Sequence, residues 1–259
     1  MIMSKTSDKF EKLFELNKRL SSEIQSSLPT IIESLDKSKF KYTSKALLSF
    51  IPRSGYLNSA VLELSASRNI YSAAVLYRSI IEHSFRQLYI YTKALKEDSD
   101  DVGRIYYKTL KSSEDLQWFD KVNKHNKKVG ESKTTWSTKG DHNESIRNAK
   151  REFLFSNILN YLQSNHTSES EEIEKFVNDH ILERSVEYDN LSSAVHGGPF
   201  GEFALFNLYQ DQKKYDDTLY KFANESLDLH YSIVQSTYLF AYLMDDKMKE
   251  QYEKINEIM

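Results

Sequence analysis

Cysteine is absent from the 259 residues. That excludes a disulfide framework, a zinc finger and a cysteine nucleophile, and it suits a reducing cytoplasm. Proline and glycine are nearly absent too, at 3 and 7 residues, so the chain has few breakers and long helices are expected. No apolar run reaches the roughly 18 residues a membrane span needs, and the opening MIMSKTSDKF has no signal-peptide core. The expected location is cytoplasmic, away from membranes. Neither sign of charge dominates, with 35 Lys and Arg against 38 Asp and Glu, which excludes a uniformly basic coat for nucleic acid but not a local patch. The sequence has no Gly-x-Gly-x-x-Gly, no phosphate loop, no His-Glu-x-x-His, and no carboxylate cluster at metal-site spacing. Neither a cofactor nor a metal is therefore expected. A Ser-His-Asp triad finds no Gly-x-Ser-x-Gly elbow to support it.

What is present is apolar and aromatic. Hydrophobic residues make up 39% and aromatics 13%, too much for a disordered chain and enough for one sizeable core. Helical periodicity predicts a first helix over about 7–27 ended by Pro29, then short helices over about 30–38 and 43–51, the latter before Pro52 and Gly55. The strongest pattern covers 56–95. It carries Leu57, Val61 and Leu64, then Ala73, Ala74, Tyr77, Ile80, Ile81 and Phe85, and a break near Ser67-Arg68-Asn69 would divide it in two. Further helices are predicted over about 101–125, 144–164, 169–195 and 215–255. Residues 126–142 read as a loop, and 202–209 as either strand or helix. The fold class is all-α: one helical domain over 1–259.

Two polar constellations interrupt the apolar faces. In the first, Arg78 and Glu82 stand four residues apart in the most apolar helix, so they share a face and can pair. The pair is either a partly buried structural link or an arginine held by its carboxylate toward a cleft. In the second, Tyr188, Ser192 and His196 form a stripe at the same spacing. Gly197, Gly198, Pro199 and Gly201 follow it, the one place where the backbone must leave a helix sharply. A helix C-cap explains the glycines but not the stripe. A third feature is basic: residues 121–151 hold nine Lys and Arg, including Lys124, Lys127 and Lys128, against three acidic residues. Trp118, Phe119 and Trp136 lie in or beside it, an interleaving that suits single-stranded nucleic acid as well as a solvated face. The acidic run 169–189 would balance this patch within the fold or across a dimer.

The run Arg78-Ser-Ile-Ile-Glu-His83 resembles the Arg-x4-6-His motif of the HEPN superfamily, all-helical domains that include metal-independent ribonucleases of bacterial toxin–antitoxin and antiphage systems. With the distant Tyr-x3-Ser-x3-His-Gly, the sequence looks like an uncharacterised bacterial HEPN-like group. The resemblance covers about 56–200, leaving N-terminal helices in 1–55 and a C-terminal helix over 215–255 packed on that core. It implies attack of a ribose 2′-hydroxyl on the adjacent phosphate, with Arg78 stabilising charge and His83 or His196 handling the proton. From the residues themselves, an alternative set of Arg78, Glu82 and His196 meeting across two helices is expected, with Tyr188, Ser192 and the three lysines expected to bind substrate. The resemblance also implies a homodimer acting on RNA, together with a partner protein from the same defence locus. The alternative is a non-catalytic helical binding, sensor or interaction module of a defence system. Solvent access to Arg78 and the histidines separates the two.

Overall fold

Apolar residues recurring every third or fourth position wind this chain into helix almost throughout. The computed structural model describes residues 3–110, 121–122, 124–130, 140–165, 171–196, 198 and 206–259. Of these, 90% are helical, with no strand among them. In chain order the helices are α1 (Met3–Asp36), α2 (Lys41–Ala66), α3 (Ile70–Glu97), and α4 (Asp101–Arg104), which runs on into a π-helical turn over Ile105–Leu110. They continue with α5 (Gly140–Glu152), α6 (Phe155–Asn165), α7 (Glu171–Val195), α8 (Gln212–Met244), a 3-10 turn over Asp246–Met248, and α9 (Lys249–Asn256). No helix among the described residues is long and apolar enough to cross a membrane.

Helices α2, α3 and α8 pack pairwise at the centre. Helix α1 covers α2 and α8, α6 and α7 lie on α3, and α9 returns onto α8 and α1. One continuous apolar cluster fills the space between them, with Leu47, Leu62, Tyr77, Ile80 and Tyr238 sealed from solvent. Ala73 and Ala74, buried on α3, let neighbouring backbones come close.

Several boundaries differ from the sequence expectation. Pro29 does not end the first helix, and Pro52 does not end the second; both sit inside continuous helices. A proline costs about 3 kcal/mol in a helix interior because it removes one backbone bond and clashes with the carbonyl four residues back. Both prolines are exposed, as is Gln25 four residues before Pro29, so that carbonyl can turn to water. The buried stripe Leu20, Ile24, Ser27, Ile31, Leu35 crosses Pro29 without a break, and its burial outweighs the lost bond. The predicted break at Ser67-Arg68-Asn69 is real. Arg68 takes a left-handed φ of 66°, Asn69 N–H bonds back to Leu64 C=O at 2.8 Å, and the Asn69 side chain caps α3 by accepting from Ser72 N–H at 3.2 Å.

The helix expected over 144–164 is two. The chain turns at Phe153-Leu154, which sends Phe153 edge-on to Tyr89 (5.5 Å) and Phe155 edge-on to Phe85 (5.4 Å). A straight helix would place two residues this close in sequence about 200° apart. The helix expected over 215–255 is likewise interrupted at Asp245, whose carboxylate accepts from Lys247 N–H at 3.1 Å and starts the 3-10 turn. Residues 206–210 are helical, as are 124–129 at the start of the expected 126–142 loop. Within the predicted segments, residues 111–120, 131–139 and 202–205 lie outside the described residues.

Among the described residues one histidine is buried in the core. His230 on α8 is 2% exposed. Its Nδ1 lies 2.8 Å from the Ser54 hydroxyl, which donates to the Ile51 carbonyl at 3.1 Å, so Nδ1–H is the donor to Ser54. Burial pushes the His230 pKa down to about 4. The unfolded chain therefore binds a proton that the native state refuses between about pH 6.5 and 4, and stability must fall as pH falls through that window. The loss amounts to about 3 kcal/mol and is absent above pH 7. Urea midpoints across pH 4–8 for wild type and His230→Gln check this: the variant should show the flatter profile, and equal slopes would contradict it.

Candidate functional site at the crossing of α3 and α7

Helices α3 and α7 meet through polar side chains that each helix alone leaves without partners. Arg78 donates from Nε to the Ser192 hydroxyl at 2.7 Å and from Nη2 to the Tyr188 hydroxyl at 2.7 Å. Ser192 spends its own hydrogen on the Tyr188 carbonyl at 2.8 Å, leaving its lone pairs for Arg78. Glu82 lies 3.7 Å from Arg78 Nη1 and 2.5 Å from Arg86 Nη2, and it accepts a long bond from Tyr188 at 3.4 Å. The Tyr188 ring stacks on Phe155 at 3.8 Å and lies 4.5 Å from the Arg78 guanidinium carbon. Burial, and then the neighbouring Glu82 charge, raise the Tyr188 pKa, so the phenol keeps its proton and bridges arginine to carboxylate. The spacings read from sequence thus bring Arg78, Glu82, Tyr188 and Ser192 together.

The two histidines are placed differently. Five residues carry His83 about 140° around the helix from Arg78, so it turns to α2, edge-on to Phe50 at 6.1 Å. Its Nδ1 lies 2.7 Å from the Ser79 carbonyl, and burial lowers its pKa, so the ring is neutral with Nδ1–H as donor. Its Nε2 is buried without a hydrogen-bond partner among the described residues, and so is Arg86 Nε. His196 is exposed. Its N–H bonds to Ser192 C=O at 3.1 Å, which keeps it one helical turn beyond Ser192 on the same stripe. The chain then closes with Gly198 N–H on Ser193 C=O at 2.8 Å. A Cβ at Gly198 would lie 2.6 Å from Ser193 Oγ and 3.0 Å from Ser193 O, so a larger residue here would make the Ser193 hydroxyl turn away. Gly197, Pro199 and Gly201 lie outside the described residues.

Lys124, Lys127 and Lys128 project from exposed positions of the helical residues 124–129. None of the polar contacts among the described residues links them to Arg78. Trp118, Phe119 and Trp136 lie outside the described residues.

A second network went unread in the sequence. It sits directly behind the first, on the neighbouring residues Tyr77 and Glu187. Arg184 Nη1 donates to the Tyr77 hydroxyl at 2.6 Å, to Glu187 at 2.9 Å and to Glu225 of α8 at 2.5 Å. The Tyr77 hydroxyl reaches Glu187 at 2.7 Å and Glu225 closer still, and Lys221 caps Glu187 at 2.9 Å. Burial works against the Arg184 charge, but Glu225 and Glu187 outweigh it and hold its pKa above the ordinary value. Burial would raise Glu187, yet the Tyr77 hydroxyl, Lys221 and Arg184 keep it ionised. One member of the acidic run, Glu187, is turned inward. One signal was available: Arg184 precedes Tyr188 by four residues and so begins the stripe that continues to Ser192 and His196.

Among the described residues no group of three or more His, Asp or Glu could hold a metal. What the crossing offers chemically is a fixed guanidinium, a neutral phenol, a hydroxyl and, one turn away, an exposed imidazole. Comparison with protein-family models, curated proteins and solved structures finds no match to this chain.

Proposed function

We propose that this protein is a HEPN-type, metal-independent ribonuclease of a bacterial defence or toxin–antitoxin system, working in the cytoplasm as a homodimer, with Arg78 and His196 as its reacting pair. One observation carries this reading. Arg78 is held by Nε and Nη2, while Nη1 makes no hydrogen bond among the described residues and stands 3.7 Å from Glu82. The guanidinium is therefore fixed in position yet keeps donors for a phosphate, as stabilisation of developing charge requires. His196, exposed on the stripe that holds Arg78, takes the proton from a ribose 2′-hydroxyl as that oxygen attacks the phosphate. It returns the proton to the departing 5′-oxygen, leaving a cyclic phosphate and a 5′-hydroxyl. Glu82 orients Arg78. Lys124, Lys127 and Lys128 hold flanking phosphates. His83, neutral and turned to α2, supports the fold.

The second reading, a non-catalytic binding or sensor module that engages a partner protein or RNA, is favoured by a different observation: the Arg78 and Glu82 side chains are only 18% and 21% exposed. Incubating purified protein with total RNA in EDTA decides between them. Cleavage should occur, fall about 10²–10⁴-fold in His196→Ala, and persist in His83→Ala. RNA that is bound but never cut, with binding lost in Arg78→Ala, leaves the module. RNA neither cut nor bound overturns the ribonuclease reading and leaves the module only a partner protein to engage.

A further inference from the structure

We infer that Arg184 is a positioning residue: its guanidinium seats α7 on α3 and α8, and thereby places Tyr188 and Ser192 against Arg78. The functional part of this inference rests on the reading of Arg78 as the phosphate-binding group; the geometric part does not.

The two polar networks occupy consecutive residues on both helices. Tyr77 and Arg78 adjoin on α3, and Glu187 and Tyr188 adjoin on α7. Any shift of α7 that opens the inner network therefore opens the outer one. The inner network turns on one cation. Oε2 of Glu187 and Oε2 of Glu225 both lie within hydrogen-bond reach of the same Arg184 nitrogen and of the same Tyr77 hydroxyl. Arg184 is 8% exposed, and the Glu187 and Glu225 side chains are 14% and 15% exposed, so water screens their mutual repulsion poorly. Lys221 reaches Glu187 at 2.9 Å but stands 3.8 Å from Glu225 and is half exposed. It cannot replace the guanidinium between them. Without Arg184, two buried like charges on α7 and α8 face one another, and a buried group left without its partner is the costly case. The low-cost relief is for α7 to lift, which withdraws Ser192 and Tyr188 from Arg78. Removing both carboxylates along with the arginine leaves nothing to repel, and a neutral buried cluster of similar volume is tolerated.

The experiment compares wild type, Arg184→Met, and the triple variant Arg184→Met, Glu187→Gln, Glu225→Gln. The readout is the Arg78 Nε–H cross-peak in ¹⁵N spectra, assigned by its disappearance in Arg78→Lys, alongside circular dichroism and RNA cleavage in EDTA. In wild type this proton is held by Ser192 at 2.7 Å and should exchange slowly. Arg184→Met should lose the cross-peak or accelerate its exchange at least about tenfold, with cleavage falling in step. The triple variant should recover both. Recovery in the triple supports the inference even if Arg184→Met alone fails to fold. A wild-type cross-peak in Arg184→Met overturns it, as does a triple variant that fails to fold or folds without the cross-peak. If the cross-peak follows this pattern while wild type cuts no RNA, the positioning role stands and the ribonuclease reading falls.

Discussion

Arg78→Ala is expected to lower RNA cleavage in EDTA about 10²–10³-fold, the usual cost of deleting one charge-stabilising donor, while moving the urea midpoint little. The separation follows from what the substitution leaves behind. Ser192 keeps its bond to the Tyr188 carbonyl. Glu82 keeps Arg86 at 2.5 Å and the Tyr188 hydroxyl at 3.4 Å. No buried charge is orphaned, so the stability loss should stay near 1 kcal/mol, the net worth of ordinary hydrogen bonds. Arg78→Lys should fall between wild type and Ala, because an ammonium keeps the charge but not the planar fork that bonds Ser192 and Tyr188 together. Single-turnover cleavage beside urea unfolding measures both quantities. A large stability loss with proportionate activity loss would make Arg78 structural; unchanged cleavage would remove it from the reaction.

Gly103→Ala should destabilise the protein by about 3–5 kcal/mol, in the range reserved for overpacking and strain in a core. A Cβ at Gly103 would fall 2.1 Å from Thr43 N and 2.4 Å from Thr43 Cα. These are backbone atoms, so no rotamer change relieves the clash. Nor can α4 retreat cheaply, because Asp100, just before it, accepts from Tyr42 N–H at 2.8 Å and Thr43 N–H at 2.7 Å, capping α2 from another part of the chain. Lifting α4 would break that cap as well. Gly130→Ala is the matched comparison. It has a left-handed φ of 76° with nothing among the described residues within 4 Å of a new Cβ, so it costs only the backbone preference, roughly 1–2 kcal/mol. Chemical unfolding of the two variants should show Gly103→Ala as clearly the more damaging. Equal losses would mean that the α4–α2 contact yields.

The sequence by itself determined the helical class, since scarce glycine and proline and a sustained three-and-four periodicity leave the backbone no cheaper way to satisfy its hydrogen bonds. It also determined which side chains share a face, because spacing along a helix is local geometry: Arg78 with Glu82, and Tyr188 with Ser192 and His196. Only the tertiary structure decided what depends on distant residues. Pro29 and Pro52 were read as ends because their local cost is visible in sequence, whereas the burial of Ile31 and Leu35 that outweighs it is not. Glu187 stood in the sequence only as one charge of an acidic run, because two of its partners, Tyr77 on α3 and Lys221 on α8, lie more than thirty residues away. Helix periodicity records which way a residue points, and only packing supplies what it points at.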